Sequence, residues 1–426
     1  MTNQITHQFH TLQSGLRLIT IPMPVAHTAT VLVLVGCGSV CESRELSGVS
    51  HFLEHMMFKG TTKRPGYSDI NRELESIGAR SNAFTGKEET GYYATAASAK
   101  FNIISDVIYD IFLNSKLEQG AMEIERGPII EEIRMRRDDP QSHIWRVFEG
   151  LLYGDQPAGR EIGGTEETVK AMQSQDLRKW FDTHYVAENT VIAVAGNVDA
   201  DQVFKQAEEM FAHIRQAPTT ALPPTVQDQK SPAVKTEIKD VEQLYVKLGV
   251  RGYSRFDDRR YALSLLANIL GGGMSSRLFE EVREKRGLAY SIYANDQFYN
   301  DAGYFVVSAG LNQPRASEGI KVILDELMKV ATSGVTQEEL KRAKDCAEGS
   351  LAFMLESSMG LAESYGAGLL SYGKIVTPSD ELEKIKAVTA EQIQAVAQDI
   401  FKESQLNLAA IGPKVTNEQF ESILKF

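Results

Sequence analysis

The sequence predicts an α+β protein that consists of two tandem homologous α/β-sandwich domains related by duplication. Three features of the 426 residues support this fold class: a proline-rich stretch divides the chain almost evenly, strand and helix patterns alternate along both halves, and these patterns follow a similar order in each half. Strands that alternate with helices predict sheets covered by helices. A repeated order of elements indicates that one unit has been duplicated.

The proline-rich stretch spans residues 215–234 and separates the two predicted domains, 1–214 and 235–426. It has few large apolar side chains and contains Pro218, Pro223, Pro224 and Pro232. Prolines at this density stiffen and extend a chain. We therefore predict that this stretch is an interdomain linker.

The first half alternates apolar strand patterns with amphipathic helix patterns. The predicted strands lie at Leu16–Pro22, Thr28–Val35, Ala79–Ser98 and Thr190–Val198. The predicted helices are Ser47–Phe58, Glu118–Arg137, Leu177–Tyr185 and a closing helix from Ala200. Ser47 is a candidate N-cap, because its hydroxyl could accept from the first backbone N–H groups of its helix.

The second half repeats this order of elements. Its predicted strands lie at Val234–Ile238, Gln243–Val250, Ala289–Ala309 and Leu406–Val415. Its predicted helices are Arg259–Ile269 with an extension over Ser276–Glu284, Gln337–Glu356, Ala390–Phe401 and a closing helix from Asn417. The correspondence between the two lists is the basis for predicting a duplication.

Composition narrows the class of protein. Hydrophobic residues make up 42% and charged residues 24%, which is typical of a globular domain, and the formal net charge is −12. An acidic surface disfavours nucleic acid and anionic membrane as main partners. No apolar run approaches the roughly 18 residues of a membrane span. The first residues lack a basic segment followed by an apolar one, so we expect no secretory signal and a cytoplasmic protein.

Three cysteines, Cys37, Cys41 and Cys346, do not describe a disulfide framework and favour a reducing compartment. Cys37 and Cys41 follow an apolar run and could be a pair of thiolate ligands or simply small residues at a strand end. A thiolate zinc site normally needs a second pair. The absence of that pair from the sequence favours the structural interpretation.

The helix predicted over Ser47–Phe58 carries the pattern His-x-x-Glu-His. His51 and His55 are four residues apart, so both imidazoles lie on one helical face, one turn from each other. Two imidazoles so placed can bind one tetrahedral zinc ion, and Glu54 can reach a metal-bound water without being a ligand. This pattern is a zinc-hydrolase motif, the inverse of His-Glu-x-x-His. A chance pairing is disfavoured, because no other pair among the eight histidines has this spacing with a carboxylate between its members.

A third protein ligand is needed, since zinc hydrolases usually supply three and leave one position for water. The acidic helix beginning near Glu118 offers several candidates, which are Glu118, Glu123, Glu125, Glu131 and Glu132. Glu125 and Glu132 are two turns apart and share a face. A solvated face, with these acids paired to nearby arginines, is an equally good interpretation. The residues alone leave the third ligand open.

With these motifs the sequence resembles the pitrilysin/insulinase family of zinc peptidases, in particular the half-length chains similar to mitochondrial processing peptidase and its homodimeric bacterial relatives. The matching segments are HFLEHMMFKGT at His51–Thr61, NAFTGKEETGYY at Asn82–Tyr93, IERGPIIEEI at Ile124–Ile133, GREIGGTEE at Gly159–Glu167 and RLFEEVREKRGLAYSIYA at Arg277–Ala294. They follow the family's order over nearly the whole chain.

The resemblance implies a role for each matching residue. It makes His51, His55 and Glu132 the zinc ligands and Glu54 the general base, in an N-terminal catalytic domain. Glu125 would be a second acidic residue that supports the site.

The resemblance also implies where substrate binds. Asn82 and Ala83 would lie on the substrate-binding edge strand, and Arg286 and Tyr290 would contact substrate from the C-terminal domain. In two-chain relatives the zinc motif and the Arg/Tyr pair belong to unlike subunits. Here one chain carries both, which resembles the homodimeric bacterial members.

One position departs from the family pattern. Pro128 stands where members commonly have valine, between Glu125 and Glu132. A proline inside a helix removes a hydrogen bond and bends the axis. The spacing that places these two glutamates on one face is therefore less secure, and Glu125 is the weaker assignment.

Together these features predict a zinc metalloendopeptidase that cleaves short or unfolded peptides inside an enclosed chamber. An extended peptide would pair with the strand within Asn82–Tyr93 by β-augmentation. Two alternatives are the active subunit of a heterodimeric processing peptidase and a non-catalytic assembly subunit. The second is disfavoured because non-catalytic relatives lose the His-x-x-Glu-His residues, which this chain retains.

Overall fold

The computed structural model describes residues 5–219 and 222–426. Residues 1–4 of the first predicted domain, and Thr220 and Ala221 of the predicted linker, lie outside the described residues. The chain divides into two compact units. The first contains the described residues of Met1–Ile133, Glu161–Pro223 and Leu351–Asp380, and the second those of Arg134–Arg160, Pro224–Ser350 and Glu381–Phe426.

These units differ from the contiguous halves that the sequence predicts. Arg134–Arg160 belongs to the second unit and Leu351–Asp380 to the first. An amphipathic pattern shows which face of a helix is apolar but not which sheet that face covers. The predicted class of mixed helices and sheets is confirmed, whereas the compact units do not follow the boundaries 1–214 and 235–426.

The strands of the described residues fall at the ends and the middle of each half of the chain. In the first unit they are β1 (Gln8–Thr11), β2 (Arg17–Pro22), β3 (Thr28–Val35), β4 (Arg80–Thr85), β5 (Thr90–Ala97) and β6 (Thr190–Gly196). In the second they are β7 (Ala233–Ile238), β8 (Leu244–Arg251), β9 (Ala289–Phe298), β10 (Gly303–Leu311) and β11 (Asn407–Gly412).

Helices connect and cover these strands. Those before the second sheet are α1 (Val49–Met57), α2 (Tyr67–Ser76), α3 (Phe101–Asn114), α4 (Gln119–Asp138), α5 (Pro140–Tyr153), α6 (Glu166–Ala171), α7 (Ser174–His184) and α8 (Ala200–Met210). Those that follow are α9 (Arg260–Gly271), α10 (Ala316–Ser333), α11 (Gln337–Leu355), α12 (Ser358–Tyr372), α13 (Pro378–Ala387), α14 (Ala390–Ile400) and α15 (Asn417–Glu421). The predicted extension over Ser276–Glu284 is a π-helix at Phe279–Glu284.

The two sheets have the same strand order and the same directions. The first runs β1-β2-β6-β3-β5-β4 and the second β7-β11-β8-β10-β9. The pair β2/β6 in the first sheet and the pair β7/β11 in the second are parallel, and all other pairs are antiparallel. Apart from β1, each strand of the first sheet therefore has a counterpart in the second.

Strand β3 shows why the first sheet is covered on both faces. Its sequence TATVLVLV is apolar at successive positions, as expected of a strand with no solvent-facing side. Val31 and Val33 join a core with α1, α3 and α7, while Leu32 and Leu34 join a smaller core with α12. Helix α12 packs closely there, because a Cβ at Gly366 would lie 2.9 Å from Leu34 Cδ1.

The second sheet is covered in the same way. Its larger core contains side chains of α9, α10 and α14, and α5 covers the opposite face with Ile144 and Phe148. Each unit is thus a sheet between two helical layers. No helix among the described residues is both long enough and apolar enough to span a bilayer.

A buried ion cluster holds the segment that follows α1. The Arg64 side chain, 4% exposed, contacts Glu73 through Nε (2.7 Å), Asp106 through Nη2 (2.6 Å) and Asp110 through Nη1 (2.8 Å). The carboxylate of Asp110 is itself buried and also accepts a hydrogen bond from Thr61 Oγ1. The guanidinium therefore compensates the buried negative charge of Asp110 and also pairs with the partly exposed carboxylates of Glu73 and Asp106.

Arg64→Met is expected to lower the free energy of unfolding by about 3–5 kcal/mol, because it leaves the Asp110 carboxylate buried without its cation. Urea unfolding followed by circular dichroism measures this loss. As a control, Lys170→Met breaks an exposed pair with Glu166 (2.9 Å) and is expected to change stability little. Equal unfolding midpoints for Arg64→Met and wild type would contradict this account of Arg64.

Candidate metal centre

The N-terminus of α1 is capped by a distant side chain. The predicted N-cap, Ser47, is not the cap: Gly48 holds that position with φ 95°, and it makes no side-chain cap hydrogen bond. Instead, Glu42 accepts from the backbone N–H groups of Gly48 (2.7 Å) and Ser50 (2.9 Å). A carboxylate at a helix N-terminus satisfies its unpaired N–H groups and complements the helix dipole. Burial nevertheless raises the pKa of Glu42 to about 8.

Gly48 is required at this position for two reasons. Its φ of 95° lies in the left-handed region, which side chains other than glycine rarely adopt. A Cβ there would also lie 2.6 Å from the backbone oxygen of Gly163, in the GREIGGTEE segment. The close contact between these two segments fixes where α1 begins.

Helix α1 is anchored by its apolar face. Phe52, Leu53, Met56 and Met57 are buried in the first unit's core. His51, Glu54 and His55 lie on the other side of the helix from this core, as the sequence predicts for a His-x-x-Glu-His pattern. The two imidazole rings are 4.7 Å apart between centroids and nearly perpendicular.

Helix α4 brings Glu132 to the histidine pair. Glu132 Oε2 lies 3.5 Å from His51 Nε2 and 3.6 Å from His55 Nε2. Among the histidine, cysteine, aspartate and glutamate side chains of residues 5–219 and 222–426, these three form the only group of three or more that could hold a metal ion. Their ligand atoms all lie within 4.8 Å of one another. The structure therefore brings together the three residues that the resemblance implies, and Glu131 is not among them.

The distances fit a metal ion. Ligands at about 2.0–2.1 Å from a tetrahedral centre are separated from each other by about 3.3 Å. The two distances to Glu132 are within a few tenths of an ångström of that spacing. Two imidazole nitrogens and one carboxylate oxygen form the donor set of one kind of catalytic zinc site, in which the fourth position is left to water.

Glu125 supports His55 from the other side of the ring. Its Oε1 lies 2.9 Å from His55 Nδ1, and its Oε2 lies 2.5 Å from Lys59 Nζ. A hydrogen bond from Nδ1–H to a carboxylate leaves Nε2 as the metal-binding nitrogen. Burial alone would raise the pKa of Glu125, but the hydrogen bonds from His55 and Lys59 outweigh burial and hold this pKa below its usual range.

Pro128 does not separate Glu125 from the site. It lies inside α4, which continues from Gln119 to Asp138. Glu125 and Glu132, on either side of the proline, both contact His55. The concern that proline displaces Glu125 is therefore removed.

The charge of His55 depends on these carboxylates. Burial favours the neutral imidazole, but hydrogen bonds to Glu125 and Glu132 and the nearby charge of Glu54 outweigh it and raise the pKa of His55 to about 9. Without a metal, His55 is therefore protonated at pH 7. A metal ligand must be deprotonated, so metal and proton compete for this ring.

Zinc binding at pH 7 is expected to release about one proton from His55, because its pKa without metal lies above 7 and falls when Nε2 binds the ion. Calorimetric titration with zinc in buffers of different ionisation enthalpy measures the number. Release should fall to about half a proton at pH 9 and decline further above it. At pH 8 it should be smaller for Glu125→Gln, which removes one of the carboxylates that hold the proton. A binding enthalpy independent of the buffer would contradict the prediction.

Strand β4 runs beside the helix and reaches the motif through its last residue. Thr85 Oγ1 donates a 2.6 Å hydrogen bond to Glu54 Oε2. Asn82 and Ala83, predicted to contact substrate, lie in the same strand, and Asn82 is exposed. Because β4 is the last strand in the order of the first sheet, its outer edge pairs with no other strand among the residues that the structure describes.

Arg286 and Tyr290 lie in the second compact unit. Arg286 precedes β9, and Tyr290 is the second residue of that strand. Arg286 Nη1 lies 2.5 Å from Glu281 Oε2, and the side chain of Tyr290 projects into solvent, 73% exposed. Hydrogen bonds from Lys285 and Arg286 lower the pKa of Glu281 to about 2. The pair is therefore presented on the surface of its own unit.

Three residues of the site are not predicted by the sequence patterns: Glu42, Lys59 and Thr85. Lys59 and Thr85 act through contacts with residues far away in the chain, and Glu42 caps α1 from six residues before Gly48, outside the usual capping positions. Lys59 and Thr85 do lie inside two of the matching segments, HFLEHMMFKGT and NAFTGKEETGYY. Glu42 lies in none of the matching segments.

Two family models match the chain. The model described as insulinase (peptidase family M16) matches residues 17–166, which contain the metal group. The model described as peptidase M16 inactive domain matches residues 171–345. The resemblance deduced from the motifs is thereby confirmed.

Curated relatives are similar over almost their whole length. The chain is 37% identical to an uncharacterized zinc protease of Streptomyces coelicolor, over 95% of this chain and 89% of the relative. It is 38% identical to one of Mycobacterium leprae, over 95% and 91%. It is 34% identical to the uncharacterized zinc protease YmxG of Bacillus subtilis, over 95% and 98%.

Solved structures share the fold. A protease from Helicobacter pylori matches with a TM-score of 0.89 at 24% identity, over 96% of this chain and 100% of that one. A peptidase M16 inactive domain from Pseudomonas fluorescens matches with a TM-score of 0.89 at 20% identity, over 97% and 99%. With the two family models and relatives of up to 38% identity, the chain belongs to the insulinase family of peptidases, peptidase family M16.

Proposed function

We propose that the protein is a zinc-dependent endopeptidase in which His51, His55 and Glu132 hold the zinc ion and Glu54 is the general base. The observation that carries this proposal is the convergence of the three ligand atoms within 4.8 Å, with Glu54 on the same helix as the histidines. The names of the relatives, zinc proteases, support both the metal and the reaction.

Zinc supplies a Lewis acid that makes a water molecule acidic and polarises the scissile carbonyl. Glu54 takes a proton from the attacking water as the oxygen bonds to the carbonyl carbon, and then gives that proton to the leaving amine nitrogen as the C–N bond breaks. Glu125 and Lys59 orient His55 through the contacts at its Nδ1 side. The pattern is that of peptide hydrolysis by water, without a covalent intermediate.

The substrate class follows from strand β4. A free strand edge accepts an extended peptide through backbone hydrogen bonds, which depend little on side-chain identity. On this proposal Asn82 and Ala83 align the peptide beside Glu54, and Arg286 and Tyr290 also contact the substrate. Folded proteins lack a free extended segment and are not cleaved.

Several wider features belong to the same proposal. The matching strand order and directions of the two sheets support a duplication, and the prolines within 215–234 support a linker. A single chain that carries the zinc motif together with Arg286 and Tyr290 favours a homodimer. The scarcity of cysteines favours a cytoplasmic location.

The test is a digest of an unfolded peptide library by the purified chain, with zinc analysis of the same sample. We expect about one zinc per chain, cleavage of peptides but not of a stable globular protein, loss of cleavage on chelation and recovery when zinc is restored. Native mass distinguishes a homodimer from a subunit that needs an unlike partner. Cleavage that persists at full rate after complete removal of metal would refute the proposal.

A further inference from the structure

The carboxylate of Glu54 is held by a hydroxyl group that lies outside the metal group. Thr85 Oγ1 lies 2.6 Å from Glu54 Oε2 and donates its hydrogen to it. A hydroxyl that donates to an ionised carboxylate forms a short and comparatively strong hydrogen bond. Both side chains are half-buried in the first unit, so the bond is partly shielded from competing water.

Thr85 is itself fixed in place. It pairs with Thr90 where β4 turns into β5, and Gly86 N donates to Glu89 O (2.7 Å) to close the turn. The segment before α1 holds the turn from outside, because Ser39 N and Val40 N donate to the backbone oxygens of Gly86 and Lys87. The Thr85 hydroxyl is therefore presented from a hairpin that is bonded on two sides.

The hydrogen bond matters because it adds a directional restraint to a torsion that glutamate does not fix by itself. The last torsion of glutamate is broad and has no sharp staggered minima. A general base acts only when its oxygen lies within hydrogen-bond reach of the proton it removes, and a misplacement of about 1 Å can cost about 100-fold in rate. A fixed hydroxyl on Oε2 narrows the range of this torsion before substrate arrives.

We propose that Thr85 is a positioning residue that holds the Glu54 carboxylate in the orientation needed for proton transfer. The proposal rests on the proposed function, in which Glu54 is the general base. It also gives β4 two roles, because the strand whose free edge would align the peptide ends in the residue that orients the base. The position of the peptide and the orientation of the base are then set by one hairpin.

Thr85→Val tests the proposal, because valine has nearly the same shape and suits a strand but cannot donate a hydrogen bond. With the zinc-loaded enzyme and a fluorogenic peptide, we expect kcat to fall on the order of 10- to 100-fold, with KM within about twofold of wild type and zinc content unchanged. Thr85→Ser restores the donor and should recover most of the loss. Thr11→Val, in β1 at the opposite edge of the same sheet, is the matched control and should behave as wild type.

A second readout does not depend on activity. In crystals of the metal-free proteins, we expect the same orientation of the Glu54 carboxylate in wild type and Thr85→Ser, and a rotated or less ordered carboxylate in Thr85→Val. A wild-type kcat for Thr85→Val, a loss expressed in zinc content or KM instead of kcat, or failure of Thr85→Ser to recover activity would overturn the proposal. Glu54→Gln, assayed in parallel, separates the two hypotheses: if that variant is fully active, the assignment of the base itself fails.

Discussion

Glu54→Gln is expected to abolish peptide hydrolysis while leaving the fold and zinc binding intact. Glu54 is not a member of the group formed by His51, His55 and Glu132, so its charge is not needed to hold the ion. Glutamine has the same shape, and its amide oxygen can still accept the hydrogen bond from Thr85. It cannot take a proton from water. Because the carboxylate is used twice, first as base and then as acid, we expect kcat to fall about 1,000-fold or more.

The measurement is kcat for a fluorogenic peptide, with zinc content and thermal unfolding determined on the same preparation. Glu75→Gln is the matched control, since it makes the same chemical change at an exposed position of α2 and should retain wild-type kinetics. Glu54→Gln that turned over at the wild-type rate would refute the role of general base. Loss of zinc in this variant would instead show that Glu54 contributes to the metal site.

The histidine pair of the site could be predicted from the sequence because its geometry is local. A helix places residues four apart on one face whatever the rest of the fold does. His51 and His55 need only α1 to form, and the apolar residues Phe52 and Met56 at helical spacing predict that helix. This part of the site therefore depends on one short element.

The third ligand depends on packing between elements far apart in the chain. Helical periodicity predicts that Glu125 and Glu132 share a face, but it does not say that this face meets α1. In the structure both do so, Glu125 on the Nδ1 side of His55 and Glu132 on the Nε2 side. Thr85 could not be found from local patterns for the same reason, since it reaches Glu54 from another strand. Glu42 is close to α1 in the chain, but no capping pattern marks it, because it lies six residues before Gly48.

The division into compact units shows a similar limit. Both α5 and α12 bury one side against a sheet, yet α5 belongs to the second unit and α12 to the first. An apolar face requires only a partner of suitable shape, and either sheet offers one. Because local pattern does not distinguish the two sheets, sequence order is the remaining guide to packing, and the compact units do not follow sequence order at these two helices.

Glu132→Gln is expected to weaken zinc binding by at least about 100-fold, which tests the long-range part of the site. Loss of a residue that only orients a ligand costs about 10- to 100-fold in affinity, and a neutral amide is a poor substitute for a carboxylate that contacts both histidines at 3.5–3.6 Å. Glu125→Gln keeps a hydrogen-bond acceptor for His55 Nδ1–H but removes the negative charge beside it. Its loss of zinc affinity should therefore stay within the smaller range of about 10- to 100-fold.

The matched control for Glu132→Gln is its neighbour. Glu131→Gln makes the same change one position earlier on α4, where the side chain is exposed and outside the metal group, so its zinc affinity should equal that of wild type. Competition with a chromophoric chelator at fixed pH measures all three variants on one scale. Equal affinities for Glu131→Gln and Glu132→Gln would mean that α4 does not present Glu132 to the ion. The donor set would then lack its carboxylate, and two imidazoles alone are fewer than the three protein ligands that a catalytic zinc site requires.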